Sequence, residues 1–118
     1  MAESGILIST TEAAATLLVG VDAFRNSPQK TSARPRVIDG IAIVGGNAIG
    51  EATVELISAR HSFGIFETKL NGAVAILLPD HKDPIAPTLV QGADPVTCRI
   101  VTAPTVSPLK INVYGREL

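Results

Sequence analysis

The chain has 118 residues, and its ten basic and eleven acidic side chains leave a formal charge of −1, which excludes a binder that works mainly by electrostatic attraction to nucleic acid or an anionic membrane surface. Hydrophobic residues make up 46% but aromatics only 3%, with no Trp, so the core has to be built from Val, Ile, Leu and Ala. Charged residues are 18% and mean hydropathy is positive; with no apolar run as long as a membrane span, so uncharged a surface is expected to be partly covered by a partner. The length fits a single domain, residues 1–118, able to bury roughly two-thirds of its unfolded surface.

In chain order, Met1-Ala2-Glu3-Ser4-Gly5 has no basic region ahead of Ile6-Leu7-Ile8, which predicts no signal peptide and residence in a reducing cytoplasm. Gly5–Ser9 reads as a short strand, Thr10–Ala15 as a helical turn or loop, and Thr16–Val21 as a strand ended by Asp22. Arg25 to Pro35 is polar and turn-rich, carries Arg25, Lys30 and Arg34, and reads as a solvated loop or a contact arm. No aromatic is interleaved in it for base stacking, which weighs against nucleic acid. Arg36–Val44 reads as a strand bent at Asp39-Gly40.

Gly45-Gly46-Asn47-Ala48-Ile49-Gly50 is glycine-rich, but it lacks the Gly-Lys-Ser/Thr and Gly-x-Gly-x-x-Gly patterns of phosphate-binding loops. The next segment, Glu51–Ile57, alternates as a strand does, so no helix N-terminus is placed to hold an anion. A turn between strands is the reading.

Glu51–Leu78 reads as the centre of the sheet structure. Asn71-Gly72 is the favoured pair for a two-residue type I′ hairpin, where both central residues need positive φ. The register that this turn implies sets Leu70 against Ala73, Thr68 against Ala75 and Phe66 against Leu77. Alternation then puts Phe66, Thr68, Leu70, Ala73, Ala75 and Leu77 on a core face. Ile65, Glu67, Lys69, Val74, Ile76 and Leu78 share the other face, which is too apolar for plain solvent surface. A strand pair is apolar on both faces only if both are covered. A neighbouring subunit is the expected cover, with Glu67 and Lys69 at its polar rim.

Beyond the hairpin, Leu78–Pro84 gathers Asp80, His81 and Asp83 in one loop. Its prolines and aspartates suit a turn for local reasons, and with His61 the only other histidine no multi-histidine zinc site can be assembled; no metal and no cofactor are expected. Pro84–Val90, with Pro84 and Pro87, is at best an edge strand. Gly92-Ala93-Asp94-Pro95 is a turn. Val96–Thr102 alternates Val96, Cys98 and Ile100 against Thr97, Arg99 and Val101. Ala103–Pro108 is an extended connection, and Leu109–Tyr114 is a closing strand with Leu109, Ile111 and Val113 on one face.

Cys98 is the single cysteine; it is in phase with Val96 and Ile100 and reads as a buried structural thiol. Ser62, His61 and Asp80 could be nominated as a hydrolytic triad, but neighbours on a strand point to opposite faces, so His61 is badly placed to serve Ser62. No catalytic residues are expected. Eight to nine short strands at even spacing with turn signals between them predict an all-β, antiparallel sandwich.

The small-residue β composition, the Gly45-Gly46-Asn47-Ala48 turn entering Glu51–Ile57, the Asn71-Gly72 hairpin and the closing Pro108-Leu109-Lys110-Ile111-Asn112-Val113 strand together resemble the single jelly-roll proteins of virus particles: capsid, decoration or spike subunits. The likeness covers most of the chain and is one of architecture and composition. It implies a jelly-roll-like sandwich and a homo-oligomer, a trimer first, that meets other virion proteins. It also implies a virion location after assembly in the host cytoplasm, the alternative being a cytoplasmic protein. The competing function is a small ligand- or glycan-binding sandwich, for which Tyr114, Phe24, Phe63 and Phe66 are a thin supply of stacking surfaces.

Overall fold

The computed structural model describes residues 5–12, 18–45, 52–58, 61–68, 82–104 and 109–118. Among these the protein is all β, apart from a single 3-10 turn at Pro28–Lys30. The strands are β1 (Gly5–Glu12), β2 (Arg36–Gly45), β3 (Thr53–Ser58), β4 (His61–Glu67), β5 (Lys82–Val90), β6 (Val96–Thr102) and β7 (Leu109–Glu117). They form two antiparallel sheets, one ordered β1-β7-β2-β5 and the other β4-β3-β6.

The pairings are nested. β3 pairs with β4, β2 with β5, and β1 with β7. Between the last two levels Asp22 bridges Arg99 of β6. With the Asp22 segment counted as an eighth, rudimentary strand, each strand pairs with its mirror image about the β3–β4 hairpin. A long antiparallel ribbon wrapped in this way is a jelly roll. Of the expected strand Thr16–Val21, Thr16 and Leu17 lie outside the described residues, and the rest differs from that expectation. Leu18–Val21 is a turn closed by Val21 N–H donating to Leu18 C=O at 3.0 Å, with Leu18 and Val19 exposed at its tip. Thr10–Glu12, expected in a helical turn or loop, continues β1 instead and pairs with β7 as far as Leu109.

Alternation decides which side chains meet between the sheets. From the four-stranded sheet come Ile8, Ile38, Ile41, Ile43, Leu109, Ile111 and Val113; from the three-stranded sheet come Val54, Leu56, Val96, Cys98 and Ile100. As the composition requires, this core is aliphatic; Phe24 is the one fully buried aromatic among the described residues. Among the described residues, register shifts interrupt the ladders at four places: between Ile6 and Ile8, Ile38 and Gly40, Thr53 and Val54, and Leu56 and Ile57. The bend expected at Asp39-Gly40 is the shift between Ile38 and Gly40. At the shift between Leu56 and Ile57, Phe63 and Gly64 together stand opposite Leu56. Gly64 sits there at φ +125°, a value that a side chain would resist. The bulge lets both Phe63 and Phe66 pack against the core.

β5 carries Pro84 and Pro87 and lies at the edge of its sheet, as a strand lacking two N–H donors must. β6 and β7 follow the expected faces, although Asn112, on the face of β7 away from the core, is also buried. β4 is described only with β3 as its partner. The Asn71-Gly72 turn and its expected second strand, Ala73–Leu78, lie outside the described residues, as does the Gly46–Gly50 stretch.

Candidate assembly surface

Along β4 the backbone turns Phe66 inward and Ile65 and Glu67 outward. Ile65 is 61% exposed, a large value for a β-branched side chain within a strand. This is the face assignment drawn from alternation for these two residues. Lys69, Val74, Ile76 and Leu78, which would complete the face, lie outside the described residues.

Ladder partners place Ile65 beside Glu55 on β3, and Glu55 beside Arg99 on β6. Glu55 binds both neighbours. Arg99 donates from Nη2 to Oε1 at 2.8 Å, and Ser62 Oγ donates to Oε2 at 2.8 Å. The Arg99 hydrogen bond first, and the Ser62 hydrogen bond second, hold the Glu55 carboxyl below the usual carboxylate range. The outward face of the three-stranded sheet is therefore a polar cross-strand network with Ile65 at its margin. Beside it a cleft of about 470 Å³ opens between β4 and the start of β5, lined by Thr53, Ile65, Phe66, Glu67, Asp83 and Pro84.

A second cleft, also about 470 Å³, lies where the start of β1 meets the 3-10 turn and the end of β7; Gln29, Arg36, Arg116 and Glu117 line it. Arg36 is buried, and its guanidinium donates to the carbonyls of Gln29 at 2.7 Å and Lys30 at 3.1 Å. Burial lowers its pKa and the nearby Glu117 carboxylate works against that. Arg36 therefore braces the loop from below. Two of the polar loop's three cations are also held: Arg25 pairs with Glu12 at 3.6 Å, and Lys30 pairs with Asp22, whereas Arg34 is exposed. The loop was expected to be either solvated or a contact arm; Arg25 and Lys30 are turned to the body of the protein, which weighs against a contact arm.

The remaining chemistry-bearing residues are distributed as follows. His61 and Ser62 are both exposed; the His61 ring meets Phe63 edge-on at 5.1 Å, while Ser62 is held by Glu55. Asp80 lies outside the described residues, so the third member of that nominated triad is not placed. The same is true of Asp80 and His81 as companions of Asp83, which itself sits half-buried in β5. Among the described residues no three His, Cys, Asp or Glu side chains stand close enough to hold a metal ion, and no helix is long and apolar enough to cross a membrane. Cys98 is fully buried. Burial pushes its thiol far above the ordinary value, with the Asp22 carboxylate adding to the shift.

The residue that sequence reasoning passed over is Asp22. Its Oδ1 accepts from Phe24 N–H at 2.9 Å and from Cys98 N–H at 3.0 Å, its Oδ2 pairs with Lys30, and its carbonyl accepts from Arg25. An Asp two residues before a main-chain N–H that it can cap is a legible local signal. That Cys98, 76 residues away, shares the same oxygen is not.

The chain matches no protein-family model, no curated protein and no solved structure.

Proposed function

We propose that this protein is a structural assembly subunit that works by homo-oligomerisation, and that its setting is a virus particle, as a capsid, decoration or spike component. The observation that carries the reading is the nested strand order, which is the architecture such subunits share; it supports the reading by analogy of fold, which alone does not fix function. The surface proposed for the contact is the outward face of β4, Ile65 and Glu67, to which the sequence reading adds Lys69, Val74, Ile76 and Leu78, outside the described residues. Ile65, exposed and aliphatic beside exposed Glu67, is suited to a subunit contact, in which apolar area lies inside a polar rim. A trimer is the first arrangement to test.

Native mass spectrometry of the wild type and of Ile65→Lys tests this. The expected result is an oligomeric wild type and a folded, smaller mutant, with folding judged by circular dichroism. A monomeric wild type, or a mutant with unchanged mass, sinks the proposal. An unfolded mutant means that this face belongs to the core.

The cleft beside Ile65 favours a second reading, a binding site for a small neutral ligand such as a glycan. Phe66 offers apolar surface there, and Glu67 and Asp83 offer acceptors for hydroxyl groups. Binding on a glycan array that is lost in Glu67→Ala while the mass stays unchanged would favour this reading over assembly.

A further inference from the structure

β6 is bonded on both of its edges, by β3 on one side and by Gly20–Ala23 on the other. The second contact is short. Gly20 N–H donates to Ile100 C=O at 2.8 Å, Ile100 N–H to Val21 C=O at 2.9 Å, and Ala23 N–H to Cys98 C=O at 2.7 Å. The remaining donor, Cys98 N–H, meets a side chain in place of a backbone carbonyl: Asp22 Oδ1 at 3.0 Å. The substitution has a geometric cause. The chain leaves the edge here: Arg25 N–H turns back to Asp22 C=O, and the next residue from the edge, Phe24, has its ring buried. Asp22 fills the gap, caps Phe24 N–H in the same stroke, and is itself held by Lys30.

Other edges are protected differently. β5 is blunted by Pro84 and Pro87, and β1 has its Ser9 N–H capped by the Gln29 side chain at 3.0 Å. β6 itself, Val96-Thr97-Cys98-Arg99-Ile100-Val101-Thr102, contains no proline and no inward-facing charge. Its β-branched residues and extended backbone are what an edge needs in order to pair with another strand. Its one charge, Arg99, points outward and is already neutralised by Glu55.

We propose that Gly20–Phe24 is a strap occupying a strand-pairing site on the edge of β6, that Asp22 is its latch, and that the edge, when uncovered, accepts the β6 edge of a second copy. Cys98 and Ile100 each present an N–H and a C=O toward the strap. Two such edges related by a two-fold axis present donors to acceptors in antiparallel register, which makes the site self-complementary. This contact is separate from the outward face of β4, and the inference stands whether or not that face assembles.

Two variants loosen the strap at different points. Asp22→Ala removes the latch. Gly20→Val acts on the Leu18–Val21 turn, where Gly20 holds φ +87°, the value that the third position of a type II turn demands. No atom lies within 4 Å of the position an added Cβ would take, so the valine strains the strap without crowding the core. Hydrogen exchange at low protein concentration is expected to speed up at least tenfold at Cys98 N–H in Asp22→Ala and at Ile100 N–H in Gly20→Val. The amide of Ile111 in β7 should be unchanged. As concentration rises, light scattering should show species heavier than the wild type's, in which the Cys98 and Ile100 amides are protected again. Unchanged exchange in Gly20→Val overturns the strap, also in the event that Asp22→Ala does not fold. Faster exchange with wild-type mass at every concentration overturns the pairing site, as do heavier species whose Cys98 and Ile100 amides still exchange freely.

Discussion

β2, inside the four-stranded sheet, and β3, at the centre of the three-stranded sheet, are both flanked by strands on either side, yet they are buried differently. Along β3 burial alternates: Val54, Leu56 and Ser58 are buried while Thr53, Glu55 and Ile57 are not. Along β2 it does not. Ile41 and Ile43 face the core, but Ala42 and Val44, which alternate with them, are 1% and 0% exposed without belonging to that core. Their ladder neighbours show how the second face differs. Ala42 stands opposite buried Asn112, which accepts from Ser9 Oγ at 2.6 Å, whereas on β3 Glu55 stands between Arg99 and Ile65 in the open. A continuous apolar run marks a strand covered on both sides, and an alternating one marks a strand with a wet face. The two sheets illustrate both cases within one small protein.

The sharpest way to break the comparison is to place a carboxylate on each second face. Val44→Asp should cost on the order of 4 kcal/mol or more, because an unpaired charge enters a site with no access to water. Ile57→Asp, on the open face of β3, should cost about 1 kcal/mol, chiefly in strand preference. Urea denaturation of the two mutants decides the matter, and equal costs would show that β2 is not more deeply covered than β3. Next in size are the inward positions, where the sheets should behave alike. Ile41→Ala and Leu56→Ala each remove a fully buried branched side chain and should each lose about 2–5 kcal/mol. A cost well below that range on one side only would mean that the core is lopsided.

The smallest effect concerns the open face alone. Because Glu55 has a depressed pKa in the folded chain, what it contributes to stability is present above the ordinary carboxylate range and fades as pH falls through the folded value. Arg99→Met removes the larger of the two causes, so the Glu55 carboxyl, followed by nuclear magnetic resonance, should titrate closer to the ordinary range. The melting temperature at neutral pH should barely move, since surface pairs of this kind contribute little. An unaltered titration would mean that Arg99 does not hold Glu55 in solution.

Much of this fold was legible in the residues. Alternation over most of Glu51–Ile57 and of Val96–Thr102 marked the strands Thr53–Ser58 and Val96–Thr102 with their faces, Pro84 and Pro87 marked an edge, and Asp39-Gly40 marked a bend. Cys98 was placed by its phase with Val96 and Ile100. The errors came where local composition competed with long-range pairing. Thr10–Glu12 looks helical next to three alanines, but β7 recruits it into a strand. Leu18–Val21, within the expected strand Thr16–Val21, looks extended, but Gly20 permits a turn that swings the chain onto β6. As for the candidate surface, alternation was enough to set Ile65 and Glu67 outward. The Ser62–Glu55–Arg99 network depends on strands 44 residues apart in sequence at its longer link, which no local pattern encodes.

The nested order of the strands bears on how the chain can find its shape. Ser9 and Asn112 are 103 residues apart along the chain, and closing so wide a loop from an extended coil is entropically costly and slow. Once β3 has met β4, however, the near ends of β2 and β5 are already close, and their pairing draws Asp22 toward β6. When β1 reaches β7, the span still open is only the stretch from Glu12 to Asp22 on one side and from Thr102 to Leu109 on the other. Each level of the ribbon shortens the search for the next, so the β1–β7 pairing, wide as it is along the chain, can close with the entropy of a short loop.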